Sequence, residues 1–350
     1  MPGVTTNSDS QILLKHGAGG RAMRRLIEDA FLHAFATQPE LRPGVIGVAA
    51  MDDGGAVRIG ERWLVMTTDS HVIQPPFFPG GDIGRLAICG TVNDLAMMGA
   101  TDVLALTCGV VLEEGFARAD LDRILASMHD ACREAAATVI AGDTKVMGKG
   151  EIDGIVVNTS GIGLTSRLIR DCGLRPGDRI VVTGTIGDHG MAVMARRHGL
   201  ELESDLRSDV APLNMLIAAA IDAAPEAISA MKDPTRGGLA GSLHEMASKS
   251  GVGVLLDEAK LPVRDAVRGV SELVGIDPMH VANEGKAVIG VRGDAAAAAV
   301  LAALRGHPLG RDAAIVGICT DEHVGMVVLN TGFGRRLVAE PEGELLPRIC

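Results

Sequence analysis

Short apolar runs bounded by Gly, Asp and Ser alternate along the chain with longer stretches of helical spacing. The runs 45–50 and 63–68 predict strands. Between 82 and 98, Ile83, Leu86, Ala87, Val92, Leu95 and Met98 recur near the helical period and predict a helix. A strand at 103–112, a long amphipathic helix at 119–138 and strands at 139–142 and 154–164 follow. Gly173, Pro176 and Gly177 cluster within 167–178 and predict a break there. Beyond it the style repeats: strands at 179–183, 252–256, 287–291, 313–318 and 324–329, and helices at 190–198, 212–223, 238–250 and 294–305. The stretch 339–350 has no period of either kind and reads as a flexible tail ending in Cys350. The fold class expected is α/β of the α+β type. Its divisions are an N-terminal glycine-rich segment and helix (1–40), a first domain (41–168), a second α/β domain (176–338) and the tail (339–350).

Composition narrows the role. Of 350 residues 47% are apolar but only 2% aromatic, with no Tyr, so the interior is built from Ala, Val, Leu, Ile and Met. A net charge of −11 excludes non-specific binding to nucleic acid, which requires neutralised phosphates. The scarcity of aromatics removes stacking platforms for single strands. The longest apolar run, 295–304, is too short to span a bilayer and predicts no membrane association. The opening MPGVTTNSDSQ has neither a basic nor an apolar leader region, and the six cysteines show no metal-ligand spacing, so a reduced, cytoplasmic location is expected.

Carboxylates recur at the ends of the predicted strands: Asp52 and Asp53 in MDDGGAV, Asp69 in TTDSH, Asp94 in TVNDLAMMGA and Asp143 in AGDTK. Taken singly, each is explained by a helix cap or a turn. Recurring where α/β loops form a ligand crevice, they suit Mg²⁺, a hard cation with oxygen ligands. HGAGG (16–20) and PTRGG (234–238) let backbone approach a polyphosphate, though neither matches the P-loop pattern. Asp233, Thr235, Arg236, Gly237 and Gly238 stand ahead of an apolar helix, as an anion site at a helix start would. Lys145 is a candidate charge stabiliser and Glu284, in VANEGK, a candidate base; a solvated surface charge is the alternative for both.

In order, MDDGGAV, TTDSHVIQPPFFPGGDIGR, TVNDLAMMGA, AGDTKV, KDPTRGGLA and NEGK resemble the aminoimidazole ribonucleotide synthetase (PurM-like) superfamily. The superfamily also holds thiamine-monophosphate kinase, selenophosphate synthetase and the hydrogenase maturation family HypE. HGAGGRAM near the start and PRIC at the end resemble HypE in particular, whereas 12–25 lacks the cysteine that selenophosphate synthetases carry there.

The resemblance implies a two-domain protomer whose N-terminal strands pair across a homodimer, with ATP near the subunit contact. It implies that the carbamoyltransferase HypF loads the terminal cysteine, that ATP drives dehydration of the thiocarbamate to a thiocyanate, and that cyanide passes to the HypC–HypD complex for [NiFe] hydrogenase iron. The roles implied are Cys350 as tethered substrate and Lys145 and Glu284 as catalytic groups. His16, Gly17, Gly19, Gly20, Asn93, Gly142, Asp233, Thr235, Arg236, Gly237 and Gly238 would surround the nucleotide. Asp53, Asp69, Asp94 and Asp143, with Asp52, would hold Mg²⁺ and the ATP phosphates. Extended, the stretch from 339 to 350 spans roughly 40 Å, enough to swing between a cleft and a partner. A PurM-like kinase or synthetase acting on a free small molecule, and a thiol-based iron scaffold, remain the alternatives.

Overall fold

The computed structural model describes residues 11–17, 19–35, 43–200, 205–342 and 348–350. The opening stretch 1–10 and the tail stretch 343–347, with Pro347, lie outside the described residues. Helix α1 (Gly20–Leu26) continues through a π-helical stretch, Ile27–Leu32, into α2 (His33–Phe35). There follow strands β1 (Val45–Ile46), β2 (Gly55–Ile59) and β3 (Arg62–His71), and a small hairpin of β4 (Phe77–Phe78) and β5 (Gly81–Asp82). Next come α3 (Ile83–Met97), β6 (Asp102–Glu113), α4 (Arg118–Glu134), β7 (Val139–Met147) and β8 (Ile155–Thr165). One sheet has the order β1-β2-β3-β8-β6-β7, antiparallel except where β6 meets β7.

Helix α3 is the keystone. Asp82 caps it, accepting from Gly84 N–H at 2.8 Å and Arg85 N–H at 3.0 Å. Its residues are buried almost all round, because it is covered on every side rather than along one stripe. One side packs in the core that holds Val65 of β3, Leu106 of β6 and Val157 of β8. Ala96 and Met97 enter a separate core with Leu213, Leu216 and Ile217 of the second half. The same helix therefore joins the two halves.

The second half comprises β9 (Arg179–Val182), α5 (Asp188–Arg197), α6 (Asn214–Ala223), β10 (Ile228–Lys232), α7 (Gly238–Ser250), β11 (Gly253–Asp257) and α8 (Asp265–Val274). It continues with β12 (Val288–Val291), α9 (Asp294–Gly306), β13 (Ala314–Thr320), β14 (Val327–Asn330) and β15 (Arg335–Leu337). Its sheet has the order β10-β12-β9-β13-β11-β14-β15. Ile180 and Val182 share one core with Leu239, Leu243 and Met246 of α7, while Val181 faces Ile217 of α6 and Val300 of α9. Covered on both faces, these strands read as unbroken apolar runs.

The structure corrects several expected boundaries. Only Val45–Ile46 of the run 45–50 is strand; 48–50 is a tight turn and Met51 takes φ 46°, which redirects the chain before the two aspartates. The hairpin strand β2 escaped prediction because Val57 and Ile59 are exposed, so its apolar residues carry no buried stripe. Strand β7 runs to Met147 instead of ending at 142, so Asp143 and Lys145 sit within a strand rather than in the loop after one.

Candidate active site

A cleft of about 290 Å³ is lined from both halves of the chain. The first half contributes Asp52, Asp53, Thr67, Asp69 and Asp94; the second contributes Lys232, Asp233, Thr235, Arg236 and Glu284; Gly19, Gly20 and Cys350 complete the wall. Helix α3 passes close to it at Gly90, where an added Cβ would lie 3.0 Å from His71 Nε2 and 3.3 Å from Asp69 Oδ2. That close approach is how Asp94, a turn further along α3, reaches the carboxylates of the β-strand loops.

The centre is a knot of charge. Lys232 Nζ lies 2.5 Å from Asp53 Oδ1, 3.4 Å from Glu245 Oε2 and 3.8 Å from Asp171 Oδ2. Burial disfavours its charge, but these carboxylates outweigh burial and hold the ammonium well above its ordinary range. The Thr67 hydroxyl stands 2.9 Å from Asp53 O and 2.8 Å from Asp94 Oδ2. Burial, reinforced by Asp233, Asp69 and Asp53, raises Asp94 well above the usual carboxyl range. Burial and the neighbouring Asp53 push Asp233 to about 8. Asp69 goes the other way: burial raises it, but His71, 3.2 Å away, more than compensates.

Glu284 is buried, and burial together with Asp233, Asp69 and Asp209 raises it well above its ordinary value. Its Oε1 has no hydrogen-bond partner among the described residues. Its backbone is fixed from two sides: Asp209 Oδ1 accepts its N–H at 3.1 Å, and Asn93 Nδ2 donates to its carbonyl at 3.2 Å.

These raised carboxyls have a consequence for stability. A folded state that binds protons more tightly than the unfolded chain is favoured at low pH. The contribution of Asp233 is complete below its ordinary value of 3.8 and is lost as pH rises through about 8. The protein should therefore melt at a lower temperature at about pH 9 than at about pH 6, with added Mg²⁺ narrowing the gap. A melting temperature that held or rose across that interval would show that the carboxylates do not repel one another as placed.

Not every expected residue reaches the cleft. Asp52 lines its rim, where Arg170 Nε binds its Oδ2 at 2.5 Å and Asp171 N–H its Oδ1 at 3.0 Å. Asn93 is buried and is absent from the cleft lining; it braces the second half, since it also donates to Ala211 O at 3.1 Å and accepts from Leu213 N–H at 2.7 Å. Asp143 and Lys145 pair with each other at 2.9 Å on the exposed strand β7, outside the cleft, and Gly142 lies beside them. His16 is buried and its Nδ1 accepts from Leu13 N–H at 3.0 Å, while Gly17 O lies 3.3 Å from Arg236 Nη1. Gly237 and Gly238, at φ 83° and 61°, shape the start of α7, and Thr235 and Arg236 reach the cleft from that turn. Among the described residues no group of three or more His, Cys, Asp or Glu stands ready to hold a metal by itself.

The tail is the most informative placement. Residues 348–350 run antiparallel to 72–74, just beyond β3: Val72 N–H donates to Cys350 O and Gln74 N–H to Arg348 O, both at 3.2 Å. Arg348 Nε donates to Val72 O at 3.0 Å, and Ile349 is buried in the largest core. The end expected to be flexible is thus docked, with Cys350 in the cleft wall. The base of the tail is held as well, since Arg21 N–H donates to Pro341 O at 3.0 Å and Ala22 N–H to Glu342 O at 3.1 Å. Gly20 is required at this contact: its φ is 66° and a Cβ would lie 2.2 Å from Pro341 O.

Sequence reasoning missed Lys232, Glu245, Lys249 and the tail-binding residues His189 and Arg197. Lys232 is the first residue of KDPTRGGLA, where the sequence gives it no role of its own. The others lie on helices whose apolar pattern masks them.

Residues 51–165 match the AIR synthase related protein, N-terminal domain family, and 175–330 match the C-terminal domain family. The carbamoyl dehydratase HypE of Cupriavidus necator is 46% identical over 343 residues, spanning 97% of this chain and 95% of that protein. A crystal structure of a HypE–HypF complex superposes with a TM-score of 0.82 at 45% identity, covering 90% of this chain and 99% of that one. HypE in complex with ATP gives a TM-score of 0.78 at 39% identity, covering 97% and 100%. The chain belongs to the HypE family of hydrogenase maturation proteins, within the AIR synthase related fold.

Proposed function

We propose that this chain, an ATP-dependent carbamoyl dehydratase by family, acts on a carbamoyl group carried by the sulfur of its own Cys350. The overall change is R–S–C(=O)–NH₂ + ATP → R–S–C≡N + ADP + phosphate. The observation that carries this reading is the position of Cys350, in one cleft with Glu284 and the buried carboxylates.

The amide oxygen is a poor leaving group until it is phosphorylated. It attacks the γ-phosphorus as the bond to ADP breaks, and an N–H proton departs. The C–O bond then breaks with loss of phosphate, and a second N–H proton departs as C≡N forms. Glu284 is suited to accept a proton because a buried carboxylate with an unpartnered oxygen has a high proton affinity once ionised. Arg236, Lys232 and the turn at 235–238 supply positive potential for phosphates, where positioning and charge stabilisation do most of the work.

The donor set fits Mg²⁺: Asp53 Oδ2 is buried without a hydrogen-bond partner among the described residues, and Asp94 and Asp233 are raised first by burial and further by neighbouring carboxylates. Asp53, Asp69 and Asp94 would hold it, with phosphate oxygens as the remaining ligands, and it would offset phosphate charge. Asp143 and Lys145 keep their proposed roles only in a homodimer. The exposed edge β7, with Val139, Ile140 and Val146 open to solvent, is a surface that a second copy would cover, carrying these two residues to the neighbour's cleft. The likeness to the HypE–HypF complex supports HypF as the source of the carbamoyl group, for which the tail must leave the cleft. The HypC–HypD complex would take the cyanide, and the exchange would proceed in the cytoplasm.

Intact mass after incubation with HypF, carbamoyl phosphate and ATP tests the reading. A carbamoyl adduct on Cys350 that then loses one water is expected; an adduct that never dehydrates would refute it. Glu284→Gln should keep loading and ATP binding but slow dehydration by about 10²–10⁴-fold. Dehydration at the native rate in that variant would remove Glu284 from the proton path.

A further inference from the structure

We propose that His189, with Arg197, is a positioning residue that latches the end of the chain in the cleft by its main-chain carbonyls, delivering Cys350 without touching the group it carries. His189 Nε2 lies 2.8 Å from Ile349 O, and Arg197 Nη2 donates to Arg348 O at 2.9 Å. His189 is fully buried, and its bond to the tail is to the main-chain oxygen of Ile349 rather than to a side chain.

Its tautomer is set by its partners. Ile349 O can only accept, so Nε2 carries the ring proton and Nδ1 accepts from the Ser208 hydroxyl at 2.8 Å, whose oxygen in turn accepts Val210 N–H at 3.1 Å. Burial lowers the proton affinity of the imidazole, which keeps one donor and one acceptor in place. The Phe78 ring meets His189 edge-on, with centroids 5.3 Å apart at 86°, and limits its rotation.

Arg197 also donates to Gln74 O at 2.6 Å, tying the tail to the same short segment whose N–H groups bind Cys350 O and Arg348 O. Each grip is on backbone, so none depends on what the sulfur bears. The latch would hold a thiol, a thiocarbamate or a thiocyanate alike, and release would come from a competing surface rather than from loading.

The significance for catalysis rests on the function proposed above, but the latch itself is read from the accessibility of the Cys350 thiol. His189→Leu should raise the rate of maleimide labelling at Cys350, located by peptide mass, roughly five- to tenfold, as loss of one hydrogen bond implies. It should lower dehydration by a similar factor while carbamoyl loading by HypF is unchanged or faster. A purely structural lesion would slow both. His189→Gln, which restores an N–H donor, should return labelling toward the native rate. Ser208→Ala, which removes the donor to Nδ1, should shift labelling in the same direction as His189→Leu and decides the matter if that variant fails to fold. Native labelling rates in His189→Leu and Ser208→Ala would overturn the latch whatever their activity. Latch-dependent labelling in a protein that never dehydrates its adduct would support the latch and refute the reaction instead.

Discussion

Cys350→Ala is expected to abolish carbamoyl loading and ATP-dependent dehydration while leaving nucleotide affinity largely intact, since the cationic groups offered to phosphates, Lys232 and Arg236, stand elsewhere in the cleft wall. On the proposed reaction the loss should be total rather than graded, because the sulfur would be part of the substrate and not a group that accelerates its turnover. Intact mass would show no adduct, and ADP release would fall to the level seen without carbamoyl phosphate. Cys350→Ser should behave almost identically, since a hydroxyl near neutral pH is a far weaker nucleophile than a thiol. The docked tail makes this a sharp test: the backbone of 348–350 is held by Val72, Gln74, His189 and Arg197, none of which uses the Cys350 side chain. An alanine should therefore occupy the same place and leave the cleft walls unchanged. Turnover by that variant on a free small molecule would favour an ordinary kinase or synthetase of this fold. Iron retained by the purified native protein would instead favour a thiol-based scaffold.

The core elements of the second half were legible because both faces of their sheet are covered, so the strands appear as apolar runs and α7 and α9 as apolar stripes. Edge and surface elements were not. Strand β2 and helix α8 bury few side chains, and β7 is exposed along nearly its whole length. Asp53, Asp69, Asp94, Asp233 and Glu284, candidates in the sequence because carboxylates recur along it, line one cleft, although Asp94 stands on α3 rather than at a strand end. Asp52, from the same motif as Asp53, is bound by Arg170, a partner 118 residues away that no local pattern contains. Asp143 and Lys145 expose a different limit. Their motif was read, but strand β7 carries them to an open edge, where a role at the nucleotide requires a second copy of the chain.

Lys232 has the largest expected effect on stability. Its ammonium is the shared counter-charge of Asp53, Glu245 and Asp171, of which Asp171 is fully buried and Asp53 nearly so. Lys249 relieves Asp171 directly, at 2.5 Å, but among the described residues Asp53 Oδ1 is paired only with Lys232. Lys232→Met keeps the volume and removes the charge, leaving buried carboxylates uncompensated; such losses cost about 3–5 kcal/mol. The carboxylates escape part of that cost by taking up protons, which costs less as pH falls. Burial lifts Asp171 to about 7 even against the pull of Lys232 and Lys249, so losing Lys232 should raise it further. The destabilisation should therefore be larger at about pH 8 than at about pH 6, and denaturant midpoints at the two values would measure it. Mg²⁺ should recover part of the loss if Asp53 and Asp94 face a cation site, because the ion would supply the missing positive charge. A variant as stable as the native protein at both pH values would mean that Lys232 does not neutralise this cluster. The net negative cleft, and with it the case for a bound divalent cation, would then need a different explanation.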